Sequence, residues 1–96
     1  MCQLGVMTIQ LNLPDCHSLK EKRSRIKPLI FRLHREFNIS VAEIGLQDAL
    51  YGTIISCAMV GNDTTHLQRS LDCVRKWVEG NWPDGLVVEN RIEIIK

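Results

Sequence analysis

Residues 13–37 read LPDCHSLKEKRSRIKPLIFRLHREF, and this stretch decides how the rest of the chain is arranged. Pro14-Asp15 ends whatever extended segment precedes it, because proline lacks a ladder donor and aspartate favours turns. Ser18-Leu19-Lys20-Glu21 is a capping box. The serine hydroxyl accepts from the third backbone N–H, and the glutamate side chain returns a bond to the cap. Leu19, Ile26, Leu29, Ile30, Leu33 and Phe37 then recur at helical spacing. A helix over residues 18–37 follows. Pro28 removes one donor and disfavours helical geometry at Lys27. We therefore expect a kink there, or a helix whose regular part starts at Pro28.

Outward from this helix the pattern changes period. Cys2–Leu13 is extended, with Leu4 and Val6 on one parity and Met7, Ile9, Leu11 and Leu13 reaching both faces. Apolar residues on both faces mark a central strand. Asn38 is a helix terminator, and Ile39–Leu46 reads as a second strand. Gln47–Leu50 is a short link to a third strand, Tyr51–Val60, whose apolar run also looks central. Gly61-Asn62-Asp63 is a turn and helix cap. Leu67, Leu71, Val74, Trp77 and Val78 predict a second amphipathic helix over 63–80, with Trp77 in the core. Gly80 to Gly85, containing Trp82-Pro83-Asp84, is a loop, with Trp82 expected to pack against this helix. Leu86–Ile95 is a last strand.

The order is β-α-β-β-α-β, the split arrangement of ferredoxin-like α+β folds. Right-handed crossovers place strands one and three in the centre of a four-stranded antiparallel sheet and both helices on one face. The result is a two-layer α/β sandwich. Its other sheet face is open, and apolar side chains there favour a homodimer as their cover.

Size and charge narrow the function. A chain of 96 residues makes one domain, 1–96. At 45% hydrophobic and 24% charged residues, long disorder is excluded. No apolar run reaches membrane-spanning length, so no membrane association is expected. The N-terminus lacks the positive region of a signal peptide, which predicts a cytoplasmic protein. Cys2, Cys16, Cys57 and Cys73 have no paired spacing, so we expect free thiols, with Cys57 in the core. The net charge is only +1, yet residues 1–36 carry seven basic against three acidic side chains. Residues 37–96 carry five basic against eight acidic ones. A basic patch on a nearly neutral protein is the consequence.

The string His17-Ser18-Leu19-Lys20-Glu21-Lys22-Arg23 resembles the YlxP-like family of small bacterial proteins, together with Phe37-Asn38-Ile39-Ser40-Val41-Ala42-Glu43 and Gly61-Asn62-Asp63. The resemblance covers nearly the whole chain. It departs at Cys16 and Gly61, where members often have serine, which weakens any argument for a hydroxyl at residue 16. The resemblance implies a ferredoxin-like sandwich and no known enzymatic activity. Genes of the family often lie near those of a ribosome-binding factor and a translation initiation factor. By association this implies a role near RNA or the ribosomal particle.

The residues themselves point to phosphate. Lys20, Lys22, Arg23, Arg25, Lys27, Arg32 and Arg35 cluster in one helix whose N-terminus also favours anions. His17 precedes the cap and is placed to contact phosphate or shuttle a proton. Lys22 and Arg23 fall one turn before Ile26, at the edge of the apolar stripe, where a cation must snorkel, pair or bind something. The candidate binding set is His17, Lys20, Lys22, Arg23, Arg25 and Lys27. The set competes with a plain solvated helix face. Asp15, Cys16, His17 and Ser18 contain a nucleophile, a base and an acid, but neighbours in sequence rarely converge as a triad. Glu43 reads as a solvent-facing or ion-paired strand residue. No metal-ligand spacing occurs, and neither metal nor cofactor is expected. The strands lack the aromatic pattern of an RNA-stacking sheet.

The expected function is that of a non-enzymatic binding protein, RNA- or ribosome-associated through its basic first helix. The alternatives are an interaction module dimerised through the open sheet face, and an acylphosphatase-like hydrolase. The latter needs an arginine cradle after the first strand, which Pro14–Ser18 does not resemble.

Overall fold

A computed structural model describes residues 1–82 and 85–96. The elements are β1 (Gln3–Asn12), α1 (Leu19–Phe37), β2 (Ser40–Gly45), β3 (Gly52–Gly61), α2 (Thr64–Asn81) and β4 (Leu86–Ile95). Of the expected loop around Trp82, Pro83 and Asp84 lie outside the described residues. The sheet order is β2-β3-β1-β4, and all three pairings are antiparallel. This is the ferredoxin-like α+β arrangement, with β1 and β3 central.

The register shows why the sheet has two different faces. Met7 lies opposite Cys57, Ile9 opposite Ile55 and Leu11 opposite Thr53. All six are buried. Onto them fall Ile26, Leu29 and Leu33 of α1 and Leu67, Leu71, Val74 and Val78 of α2. The α1 positions step by three and four and the α2 positions by four, three and four, the period of one helix face. The even residues of β1 face the open side. There Leu4, Val6, Val60 and Ile95 gather at one end. Thr8, Gln10 and Ser56 occupy the middle, and Glu89, Arg91 and Glu93 line the β4 margin. The open face is thus mixed rather than apolar throughout. No described helix is long and apolar enough to cross a membrane.

Pro28 does not interrupt α1. The helix runs through it from Leu19 to Phe37. Pro28 and Ser24, whose carbonyl loses its intrahelical donor, are both exposed. That carbonyl is open to solvent on the outer face, and the regular part of the helix starts well before Pro28. The ends are as the sequence reads: Ser18 caps α1, Asn38 closes it in left-handed conformation, and Asp63 caps α2.

The two tryptophans differ in burial from a reading by helical period alone. Trp77 is half-buried, edge-on to Phe37 at 5.9 Å between centroids and covered by the Arg32 guanidinium at 4.8 Å. Trp82 is the core residue, 6% exposed, with its indole N–H directed at the Arg25 carbonyl at 3.4 Å. A Cβ at Gly85 would collide with the Asn12 carbonyl oxygen and the Trp82 ring, so this position admits only glycine without rearrangement.

Candidate nucleic-acid interface

The capping box forms, with one change. The Glu21 N–H donates to Ser18 Oγ at 3.0 Å, but the Glu21 carboxylate accepts from His17 N–H, at 2.6 Å, rather than from the cap. That backbone bond, helped by Arg25, holds the Glu21 carboxyl below the usual carboxylate range. His17 stays on the exposed flank of the helix start.

Lys22 and Arg25 have their donors engaged within the chain. Lys22 occupies the core stripe of α1, four residues before Ile26, and is 2% exposed. Its Nζ donates to the carbonyls of Leu46, Gln47 and Ala49 and pairs with Glu43 Oε2 at 3.2 Å. Four acceptors surround three N–H donors, so none is left for a phosphate. Glu43 also accepts from the buried Thr53 hydroxyl at 2.5 Å. The chain Lys22–Glu43–Thr53 ties α1, β2 and β3 together. Arg25 is committed as well. It donates to the carbonyls of Pro14 and Asp15, at 3.0 and 3.4 Å, and to Glu21 at 3.1 Å. Its guanidinium staples the β1–α1 loop to the helix and makes no open cradle there.

The remaining cations do converge. Lys20, Arg23 and Lys27 are exposed and follow one another at helical spacings of three and four. Among the described residues, none of the three has a carboxylate within ion-pair distance. Phe31, one turn beyond Lys27, is 63% exposed, and the Arg35 guanidinium lies 5.8 Å from its ring centroid. The sequence reading passed over Phe31. Its signal was available, since it sits off the apolar stripe and four residues from Lys27. Beside this column runs a groove of about 480 Å³ between α1 and the β2–β3 turn. Leu19, Ile26 and Ile30 floor it, with Arg23 and Lys27 on one wall and Asp48 opposite. Arg32 lies apart, over Trp77.

The loop thiol and the strand carboxylate have ordinary roles. Cys16 is half-buried against the core and its Sγ points to the Ser18 carbonyl. Glu43 is the ion-pair partner already described. Among the described residues no three His, Cys, Asp or Glu side chains are grouped to hold a metal ion. Cys2 and Cys73 are exposed and Cys57 is buried, where burial pushes its thiol up to about 11. Iodoacetamide at about pH 8 should therefore label Cys2 and Cys73 in the folded protein and spare Cys57 until denaturant is added. Peptide mass mapping reads this directly, and native labelling of Cys57 as fast as Cys2 would contradict its burial.

A basic helix face laid over a ferredoxin-like sheet defines a small α+β protein. The chain belongs to the family described as "Protein of unknown function (DUF503)", whose model matches residues 4–91. It is similar to "Uncharacterized protein YlxP" of Bacillus subtilis (strain 168), with 30% identity over 76 residues, covering 79% of this chain and 83% of that protein. The family resemblance read from the capping-box string is thereby established.

Proposed function

We propose that this protein is a non-enzymatic RNA-binding protein that meets its ligand, alone or within the ribosomal particle, through the outer face of α1. The observation that carries this reading is the column Lys20, Arg23, Lys27, whose charges are unpaired among the described residues and which ends at the exposed Phe31. Lys20 and Lys27 lie roughly 10 Å apart along the helix axis. That reach spans successive backbone phosphates of a single strand. The helix start adds its own positive potential beside Lys20. Phe31, backed by Arg35, offers a ring on which one unpaired base stacks, and such contacts tolerate any sequence. Asp48 across the groove keeps phosphate on the solvent side of the column. The hydrolase reading has no observation in its favour, since Arg25, beside the β1–α1 loop, is spent on loop carbonyls and Glu21.

The test is fluorescence anisotropy with a single-stranded RNA over a salt series. Three phosphate contacts give a slope of log affinity against log salt of about −2. That is a loss of about 20-fold between about 50 and about 200 mM salt. A Lys20→Ala, Arg23→Ala, Lys27→Ala variant should lose this slope. Phe31→Ala should weaken binding by about 1–3 kcal/mol and leave the slope intact. Lys22 is kept in every variant, because its loss would report folding. Absence of binding at low salt, or a slope unchanged in the triple variant, would overturn the proposal.

A further inference from the structure

We infer that two copies of this chain join through β4, edge to edge and antiparallel, about a two-fold axis at Ile92. The β4 strand pairs with β1 on one side only, so its outer N–H and C=O groups have no partner within the chain's sheet. An exposed strand edge of this kind is a template for another strand. Residues 86–95 contain no proline and no lysine, and the one irregularity of the strand, at Val88, leaves Glu89 to Ile95 in unbroken register; the charges that remain, Glu89, Arg91 and Glu93, alternate in sign. The other edge, β2, is only six residues long and has an irregular register against β3 between Glu43 and Gly45.

What selects a second copy is the charge order along β4. Glu89, Arg91 and Glu93 alternate on the open face, opposite Gln10, Thr8 and Val6. Within one copy Arg91 Nε lies 3.4 Å from Glu93 Oε1; in an antiparallel pair centred on Ile92, each Arg91 also meets the other copy's Glu93, so the two exposed pairs join into one alternating four-charge cluster. Centring on Arg91 instead sets Arg91 against Arg91 and Glu89 against Glu93, which is repulsive throughout. Centring on Asn90 also matches charges, but it drives the pairing across the irregularity at Val88, where the β1–β4 register shifts. From Glu89 to Ile95 the alternation is unbroken, and the Ile92 axis uses that run.

The helix face fits the same axis. Ile92 floors a cleft of about 350 Å³ whose other walls are Gln68, Arg69 and Asp72 of α2. Pairing at Ile92 sets the two Ile92 side chains against each other and closes both clefts. Because α2 packs over β1 and β4, the two α2 helices come side by side across the axis. The sheet becomes continuous over eight strands. This surface is distinct from the open face considered from sequence, and the inference does not depend on the RNA reading of α1.

Sedimentation velocity of the full chain across a concentration series tests it. The wild type is expected to be a dimer. Arg91→Glu turns both cross-copy pairs repulsive and should weaken association by at least about tenfold. The swap Glu89→Arg, Arg91→Glu, Glu93→Arg restores alternation and should restore the dimer. The swap should not pair with the wild type, since unlike copies then face like charges. Arg91 and Glu93 are exposed, at 75% and 53%, so these variants leave the fold intact, which circular dichroism checks. A monomeric wild type, a dimer indifferent to Arg91→Glu, or a swap that stays monomeric would each overturn the inference.

Discussion

Replacing Lys22 by alanine is expected to destabilise the protein by about 3–5 kcal/mol, the loss typical when one member of a buried ion pair is removed. The ammonium sits among three carbonyls and Glu43; the alanine variant removes the cation from all four and leaves Glu43 with the Thr53 hydroxyl and Leu46 with the Ala49 N–H. The turn it holds is itself strained. Leu46 has φ of 57°, a left-handed conformation that disfavours residues with a side chain. Leu46 also accepts the Ala49 N–H at 3.0 Å, and Lys22 fixes the same carbonyl from the other side. Without the ammonium, this turn and the adjoining end of β2 lose their tie to α1. Lys22→Met separates the two contributions, since it keeps the apolar stem and discards the charge. It should recover at most part of the loss. Urea unfolding reads both variants as a shift in midpoint at constant slope. A change under about 1 kcal/mol for Lys22→Ala would mean that the buried pair contributes nothing net.

Trp82→Ala should cost about as much, roughly 3–5 kcal/mol, the range for truncating a buried aromatic ring. The ring lies in the core cluster, and Gly85 exists as glycine partly to admit it. Trp82→Phe keeps most of the contact area and loses only the indole N–H to Arg25, a change of about 1 kcal/mol. Thermal unfolding followed by circular dichroism compares the two. Equal losses in both variants would mean that the hydrogen bond, not the ring volume, dominates at this site.

The periodic features of this protein were legible because they are properties of chain spacing. Ser18 and Glu21, Asn38, Asp63 and the step of Leu67, Leu71, Val74 and Val78 each read correctly, and with them the order of all six elements. The central place of β1 and β3 followed from their apolar content. What spacing does not carry is the identity of a partner brought in by topology. Lys22 was read as a cation that must pair or bind. Its acceptors lie on a turn 24 to 27 residues away, visible only once β2 and β3 are laid beside α1. Arg25 joins the basic cluster by spacing; its Glu21 partner lies one turn earlier on the same helix, but its two carbonyl acceptors belong to a loop folded back onto the helix. Trp77 satisfied the helical period yet sits at the flank of the α1–α2 seam. Trp82 follows the last turn of α2 and enters the core from its end, where no periodicity reports it. The six candidate residues therefore fall into two groups by their surroundings. Lys20, Arg23 and Lys27 share a face, His17 flanks it, and Lys22 and Arg25 serve the fold.

The uneven spread of charge has a consequence for how the molecule travels. The seven basic residues of the first 36 positions belong to α1, which packs by β2 and holds only Glu21 and Glu36 against them, while at the far margin of the sheet Glu89 and Glu93 are balanced by Arg91 and Lys96. A net charge of +1 thus conceals a separation of charge across the width of the sheet. In the field of a polyanion such a body experiences torque before it experiences contact, because a field turns a dipole at distances where the net pull on a nearly neutral particle is small. Approach becomes oriented, with α1 leading and β4 trailing. The nearly balanced composition, which taken alone argues against any pull toward nucleic acid, is compatible with a protein that arrives already facing it.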